Sequence, residues 1–283
     1  MKIFITGSSG KIGKSISNYL IRKKYNCILN SKKLKGNEKF INYRKDILRN
    51  NFSIPDCDVI IHTAAVTPEK NKKKISLNKK IDKKIYSSIK NNDNIKKLIF
   101  ISTVAVYNNF NKKNVCEKTK IYSNSKYAVL KLNSEKMFLK NKKVRVYNLR
   151  IPAILLTGQE NNFISNLIEK IRKKKIINMY NPGQLFNNLL IVNSLNVFIE
   201  NLINKNFKSG NILLGSSKPI RLIKITNLIK NFFKVKTKIN WKANKRKGFY
   251  LNINNAIKNY NFKPIITSKS ILNYLKTNYS KNV

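Results

Sequence analysis

The chain has 283 residues, 42% hydrophobic and 10% aromatic, enough to bury a sizeable core, and its 59 basic against 12 acidic residues give a formal charge of +47. No apolar run approaches the roughly 20 residues of a bilayer span, and the apolar part of the N-terminus is too short for a signal peptide, so a cytoplasmic protein without membrane association is expected. Three cysteines and one histidine give neither a disulfide framework nor a zinc site, and metal chemistry is excluded from the reading.

The elements alternate along the first half. Lys2–Thr6 reads as a strand, and Ile12, Ile16, Tyr19 and Leu20 then recur at helical spacing. Further strands are expected at Cys27–Leu29, Lys39–Ile41, Val59–His62, Leu98–Ser102 and Val144–Leu149, with helices at Ile75–Lys90 and Asn124–Leu139. His62 is expected at a strand end. Such alternation argues an α/β fold with a parallel sheet covered on both faces. Beyond Arg150 the pattern loosens. Helices are expected at Phe163–Arg172, Leu195–Ile203, Ile223–Phe233 and Ile271–Asn278, with short strands at Leu189–Val192 and Asn211–Leu214.

Between the first strand and first helix lies Thr6-Gly7-Ser8-Ser9-Gly10-Lys11-Ile12-Gly13. A glycine at the strand end permits a tight turn, and the next lets backbone approach a pyrophosphate. The third allows close helix–strand packing, while the helix N-terminus offers free N–H groups. The spacing Thr-Gly-x-x-Gly-x-x-Gly resembles the extended short-chain dehydrogenase/reductase family, of the NAD-dependent epimerase/dehydratase type, similar to UDP-glucose 4-epimerases or dTDP-4-dehydrorhamnose reductases. Other landmarks follow in that family's order: Asp46-Ile47, the run from Asp58 to Ala64-Ala65, and Asn78 in the next helix. Near the end, Tyr250–Pro264 resembles a recurring family segment, with Asn261 in place of a glycine.

The resemblance implies a Rossmann doubly wound parallel sheet over residues 1–152, with late elements around 186–215 rejoining it, and a smaller C-terminal substrate-binding lobe over most of 153–283. It implies a cofactor, NAD or NADP, held by Gly7, Ser9, Gly10, Lys11, Ile12, Gly13, Asp46, Ile47, Ala64, Ala65 and Lys126. After the second strand the sequence reads Leu29-Asn30-Ser31-Lys32-Lys33. It lacks the acid that binds a ribose 2′-hydroxyl, and its two lysines lean toward NADP.

Tyr122-Ser123-Asn124-Ser125-Lys126 supplies Tyr-x-x-x-Lys, with i, i+4 spacing that would put both side chains on one helix face. A phenol serves as acid and base near neutral pH only when a neighbouring cation favours its phenolate. The resemblance makes Tyr122 the acid/base, Lys126 its partner, and Thr103, four residues before Tyr107, the hydroxyl on the reacting oxygen; Ser102 is the alternative. No acid follows Thr103, which argues against a dehydratase and leaves epimerases and keto-sugar reductases. Arg246 resembles a diphosphate clamp for the substrate. Asn187 stands where many relatives carry a second phosphate arginine, and Ala153 where epimerases commonly carry asparagine.

The expected activity is hydride transfer at a secondary alcohol or keto carbon of a nucleotide-linked sugar, in a homodimer formed by the helices Ile75–Lys90 and Asn124–Leu139. The alternative is a nucleic-acid-binding or cofactor-sensing protein on the same scaffold, prompted by the charge. Only eight of the 59 basic residues are arginine, and the lysines are scattered among abundant Asn and Ile. That distribution fits a composition bias better than nucleic-acid recognition.

Overall fold

The computed structural model describes residues 1–31, 40–68, 73–107, 113–123, 125–158, 162–243 and 248–280. Five strands, β1 (Lys2–Thr6), β2 (Asn26–Asn30), β3 (Ile41–Tyr43), β4 (Val59–His62) and β5 (Lys97–Thr103), join strands Arg145–Ile151 and Gly210–Leu213 in one seven-stranded sheet. Its order runs β3, β2, β1, β4, β5, Arg145–Ile151, Gly210–Leu213. β1 pairs in parallel with β2 on one side and β4 on the other, and the pairs β2–β3 and β4–β5 are also parallel. The chain thus winds outward in both directions from β1. That reversal opens a crevice at the carboxyl ends of β1 and β4, where a doubly wound sheet binds ligands.

Helices α1 (Lys11–Arg22), α2 (Leu77–Lys90) and α3 (Lys126–Leu139) belong to this layer. Residues 3–5, 60, 61, 99 and 100 are fully buried, as expected for strands covered on both faces. Phe4, Ile60, Ile85, Leu98, Phe100, Phe138 and Val146 share one apolar cluster. Each such side chain contributes about 1.5–3 kcal/mol on leaving water.

The chain divides into two compact units. The first comprises residues 1–108, 121–150 and 196–212; the second comprises 109–120, 151–195 and 213–283. The second is built on helices α4 (Phe163–Arg172), part of α5 (Val192–Asn204), α6 (Leu222–Phe233), α7 (Asn254–Tyr260) and α8 (Thr267–Tyr279). Its core joins Leu167, Ile168, Ile171, Ile225, Ile229 and Ile271. The Asn162 side chain caps α4 by accepting the Ser165 N–H at 3.0 Å, and the Ser165 hydroxyl accepts the Asn162 N–H in return. Short strands close the unit, among them Asn114–Val115 paired with Tyr250–Leu251. Asn261 ends α7 in the left-handed region at φ 54°, a conformation asparagine tolerates in place of glycine. No described helix is long and apolar enough to cross a membrane.

Candidate active site

The glycine loop depends on contacts that a side chain would prevent. Gly7 follows β1 at φ +64°, and a Cβ there would lie 2.7 Å from the backbone of Ala64. Gly10 precedes α1 and donates its N–H to the Gly7 carbonyl at 2.9 Å. A Cβ on Gly13 would strike that same carbonyl and come within 2.7 Å of the Thr63 hydroxyl. Helix α1 therefore packs against the ends of β1 and β4 without space for a methyl group. Its first turn carries no acidic residue, so its positive end is left for an anion. Ser9 and Lys11 are exposed, Ile12 is half-buried, and Gly13 is buried. This cradle fits the pyrophosphate of a dinucleotide.

The turn after β4 is held from two sides. Thr63 donates its hydroxyl to the Thr6 carbonyl at 2.7 Å. The buried Asn78 amide clamps Val66, accepting its N–H at 2.8 Å and donating to its carbonyl at 2.9 Å. Ala64 and Ala65 lie half-buried in this turn. Asp46 is half-buried and accepts the Leu48 N–H at 3.2 Å, while Ile47 is buried in the apolar cluster. At the end of β2, the Asn30 amide donates to the carbonyls of Tyr43 and Lys45 at 2.9 and 2.8 Å. Lys32 and Lys33 lie outside the described residues, as does Arg246.

Thr103 ends β5, half-buried, and its hydroxyl accepts the Ala105 N–H at 3.1 Å. Ser102 is buried and donates to Glu135 at 2.5 Å, so its hydroxyl is engaged in the core. Tyr122 and Lys126 do not share a helix face. Ser125, at φ −78° and ψ 118°, has extended backbone, and α3 begins only at Lys126. The i, i+4 alignment needs helical backbone throughout, and Tyr122, 50% exposed, precedes the helix.

Inside α3 stands a second pair at the same spacing. Tyr127-Ala128-Val129-Leu130-Lys131 lies wholly in the helix. Tyr127 is half-buried, and Lys131 is 2% exposed. The Lys131 Nζ donates to the Ile101 carbonyl at 2.9 Å, two residues before Thr103, and lies 4.3 Å from the centre of the Phe100 ring. Burial pushes this ammonium below its ordinary value, while the charges of Asp82 and Glu135 pull it back up. Glu135 in turn binds Arg150 at 2.6 Å, and both are buried. The Lys131 ammonium is thus taken up in the core of the first unit.

A profile of the NAD dependent epimerase/dehydratase family matches residues 3–191, two thirds of the chain. The chain belongs to that family. It is an enzyme of the NAD dependent epimerase/dehydratase family whose glycine loop, β4 turn and α3 pair lie in the first unit. No curated protein matches it. Among solved structures it is similar to a UDP-glucuronic acid 4-epimerase from Bacillus cereus in complex with NAD, with a TM-score of 0.81, 20% identity, and coverage of 98% of this chain and 99% of the other. It is also similar to a UDP-N-acetylglucosamine 4-epimerase from Bacillus cereus, at TM-score 0.77, 17% identity and 97% and 98% coverage. A third is the UDP-glucose 4-epimerase of Thermotoga maritima with UDP-glucose, at TM-score 0.74, 17% identity and 98% and 99% coverage. At these identities the likeness shows the fold.

In the second unit, the buried Asn187 amide donates to the carbonyls of Ser216 and Leu251, each at 2.9 Å, and accepts the Leu251 N–H at 2.7 Å. It therefore fastens backbone. Ala153 begins a short strand that pairs with Leu189–Ile191. The same unit holds a cavity of about 330 Å³ lined by Lys113, Asn181, Gln184, Leu185, Gly248 and Tyr250, a size at the lower end of small-molecule sites.

Proposed function

We propose that this enzyme is a nicotinamide-dependent epimerase of a nucleotide-linked sugar, with Tyr122 as acid and base, Lys126 as its cationic partner and Thr103 as the hydroxyl that orients the reacting oxygen. The observation that carries this reading is the glycine loop, where Gly7 and Gly13 leave no room for a Cβ beside the acid-free first turn of α1, with Thr103 at the end of β5 and Lys126 as the first residue of α3. The similar structures named above, all UDP-sugar 4-epimerases, support the 4-position of a UDP-linked sugar as the site of reaction.

When bound, a nicotinamide dinucleotide would supply the hydride acceptor and donor for the sugar carbon. The protein's task is then proton transfer and placement. The N–H groups of the loop from Gly7 to Gly13 hold the pyrophosphate. The Lys126 ammonium, four residues after Tyr122, favours the phenolate and lets it take the proton of the sugar hydroxyl. Tyr122 gives the proton back when the keto carbon is reduced, a function that contributes roughly 10²- to 10⁴-fold to rate in enzymes of many kinds. Thr103 donates its hydroxyl to the same oxygen. Arg246 is assigned to the diphosphate of the nucleotide.

Purified protein is examined first for retained cofactor by absorbance and fluorescence, then titrated with NADH and NADPH. It is finally supplied with UDP-glucose, UDP-glucuronic acid and UDP-N-acetylglucosamine, with products read by proton NMR. Retained NAD with conversion of one of these sugars is the expected result. Empty protein that prefers NADPH and turns over only keto sugars would replace the epimerase with a reductase. Folded protein that binds neither dinucleotide would overturn the reading.

A further inference from the structure

At the end of the sheet away from the glycine loop, where β1, β4, β5 and the strand Arg145–Ile151 begin, lies a second recess. It holds about 420 Å³, within the range of small-molecule sites, and its lining includes Asp58, Lys96, Lys97, Arg145, Ile203 and Asn206, all in the first unit. Backbone bonds keep the four strand starts level. The Asp58 N–H donates to the Lys2 carbonyl at 3.0 Å, the Lys96 N–H to the Asp58 carbonyl at 2.8 Å, and the Arg145 N–H to the Lys96 carbonyl at 2.9 Å. The floor of the recess is therefore sheet, and the side chains on it are placed by strand register.

Three of these side chains are cations. Lys97 is buried and fixed: its Nζ donates to the carbonyls of Leu202, Ile203 and Lys205 at the end of α5, at 3.1, 2.5 and 2.9 Å. Lys96 is exposed and spends one N–H on the Asp93 carbonyl at 2.9 Å. Arg145 is exposed, and its guanidinium makes no hydrogen bond or ion pair among the described residues. Burial pushes the Lys97 ammonium below its ordinary value, and the charge of Arg145 adds to the push.

The acids of this end are engaged elsewhere. Asp56 pairs with the Lys2 ammonium at 2.8 Å and Asp93 with Lys143 at 3.0 Å. Asp58 accepts the Lys2 backbone N–H at 2.6 Å, and in the strand order its strand β4 is separated from Arg145–Ile151 by β5. Where β5 and Arg145–Ile151 begin, then, like charges adjoin and none has a carboxylate partner among the described residues. Such an arrangement favours an anion of more than one charge. The planar guanidinium of Arg145 offers a fork that matches two oxygens of a phosphate. Lys96 has further N–H groups to give, and the exposed Asn206 amide adds an uncharged donor.

We propose that this recess binds a phosphate group, free or carried by a small ester, between Arg145 and Lys96, with the fixed charge of Lys97 behind them. The site is separate from the glycine loop and from Thr103, Tyr122 and Lys126, so it stands whether or not the epimerase reading holds.

The test uses the full chain at one ionic strength, set with sodium chloride, so that the general attraction of a +47 surface is equal in every titration. Inorganic phosphate and phenyl phosphate are titrated into ¹⁵N-labelled protein. The amide signals of Asp58, Lys97 and Arg145 are followed beside those of Gly10 and Gly13, because the glycine loop also attracts phosphate. Saturable shifts at Asp58, Lys97 and Arg145 are expected. Their affinity should fall at least about tenfold in Arg145→Gln, the worth of one charge-assisted contact, and stay within about twofold in Gly13→Ala and in Lys79→Gln. Lys79 is exposed on α2, so the last variant removes the same charge elsewhere. Tighter binding of phenyl phosphate would identify an ester as the ligand, and equal binding the free ion. Shifts confined to the glycine loop, shifts that do not saturate, or an affinity unchanged in Arg145→Gln overturn the proposal. If Arg145→Gln does not fold, Lys96→Gln takes its place, and an unchanged affinity there overturns it.

Discussion

The two units solve the problem of buried polarity in different ways. Among the described residues, every buried carboxylate, ammonium, guanidinium and imidazole side chain lies in the first: His62, Asp82, Lys97, Lys131, Glu135 and Arg150. The buried polar side chains of the second are neutral, such as Thr119, Ser165, Asn187, Ser216, Thr226 and Thr267. A neutral amide or hydroxyl needs only its hydrogen bonds, whereas a buried charge must also find a partner of opposite sign. The second unit therefore behaves as an ordinary core. The first holds a set of mutually dependent charges, which stabilises one arrangement of α2, α3 and β5 and penalises the loss of any member.

That contrast can be broken in four ways, beginning with the largest effect. Glu135→Gln strands the Arg150 guanidinium, which loses the partner at 2.6 Å. A cost of about 3–5 kcal/mol in urea unfolding is expected, as for any buried pair broken on one side. Ile225→Ala, at a fully buried position in the second unit, is expected to cost about 2–5 kcal/mol. That loss should be the same at pH 5 and pH 8, because no charge is involved.

Gly13→Ala forces a methyl group against the Gly7 carbonyl and the Thr63 hydroxyl. Overpacking of this kind costs about 1–3 kcal/mol, and titration with NADH is expected to show binding lost beyond the loss of stability. The mildest test is acid. Asp82 is held below its ordinary value in the folded protein, so its contribution is present at neutral pH and is lost as pH falls through that depressed value. Thermal unfolding of Asp82→Asn should fall less steeply than wild type over that acidic range.

Much of the fold was legible because its signals are apolar and periodic. The strands Lys2–Thr6 and Val59–His62 and the helix Phe163–Arg172 have the bounds expected from the sequence. Their apolar residues stand where burial needs them. Helix α7 was not foreseen, since its seven residues hold only Ala256, Ile257 and Tyr260 as apolar positions. The two-residue strands of the second unit are too short to carry a period at all.

Helix α3, expected over Asn124–Leu139, runs over Lys126–Leu139. Its buried positions are Ala128, Lys131, Ser134, Glu135 and Phe138, so lysine and glutamate occupy a face that hydrophobic patterning assigns to solvent. In a chain with 59 basic residues a buried lysine resembles any other, and the burial of Lys131 is not written in the sequence. The start of the helix after Tyr122 is not written there either, because the Tyr-x-x-x-Lys spacing reads the same with or without helical backbone.

Replacing the tyrosine of each pair by phenylalanine, and following single turnovers of a nucleotide sugar at fixed pH, tests the assignment most directly. Tyr122→Phe is expected to slow the reaction by roughly 10²- to 10⁴-fold, the usual worth of a positioned acid/base, while Tyr127→Phe stays within about threefold of wild type. The reverse result, an intact Tyr122→Phe and a crippled Tyr127→Phe, would contradict the account and move the chemistry into α3.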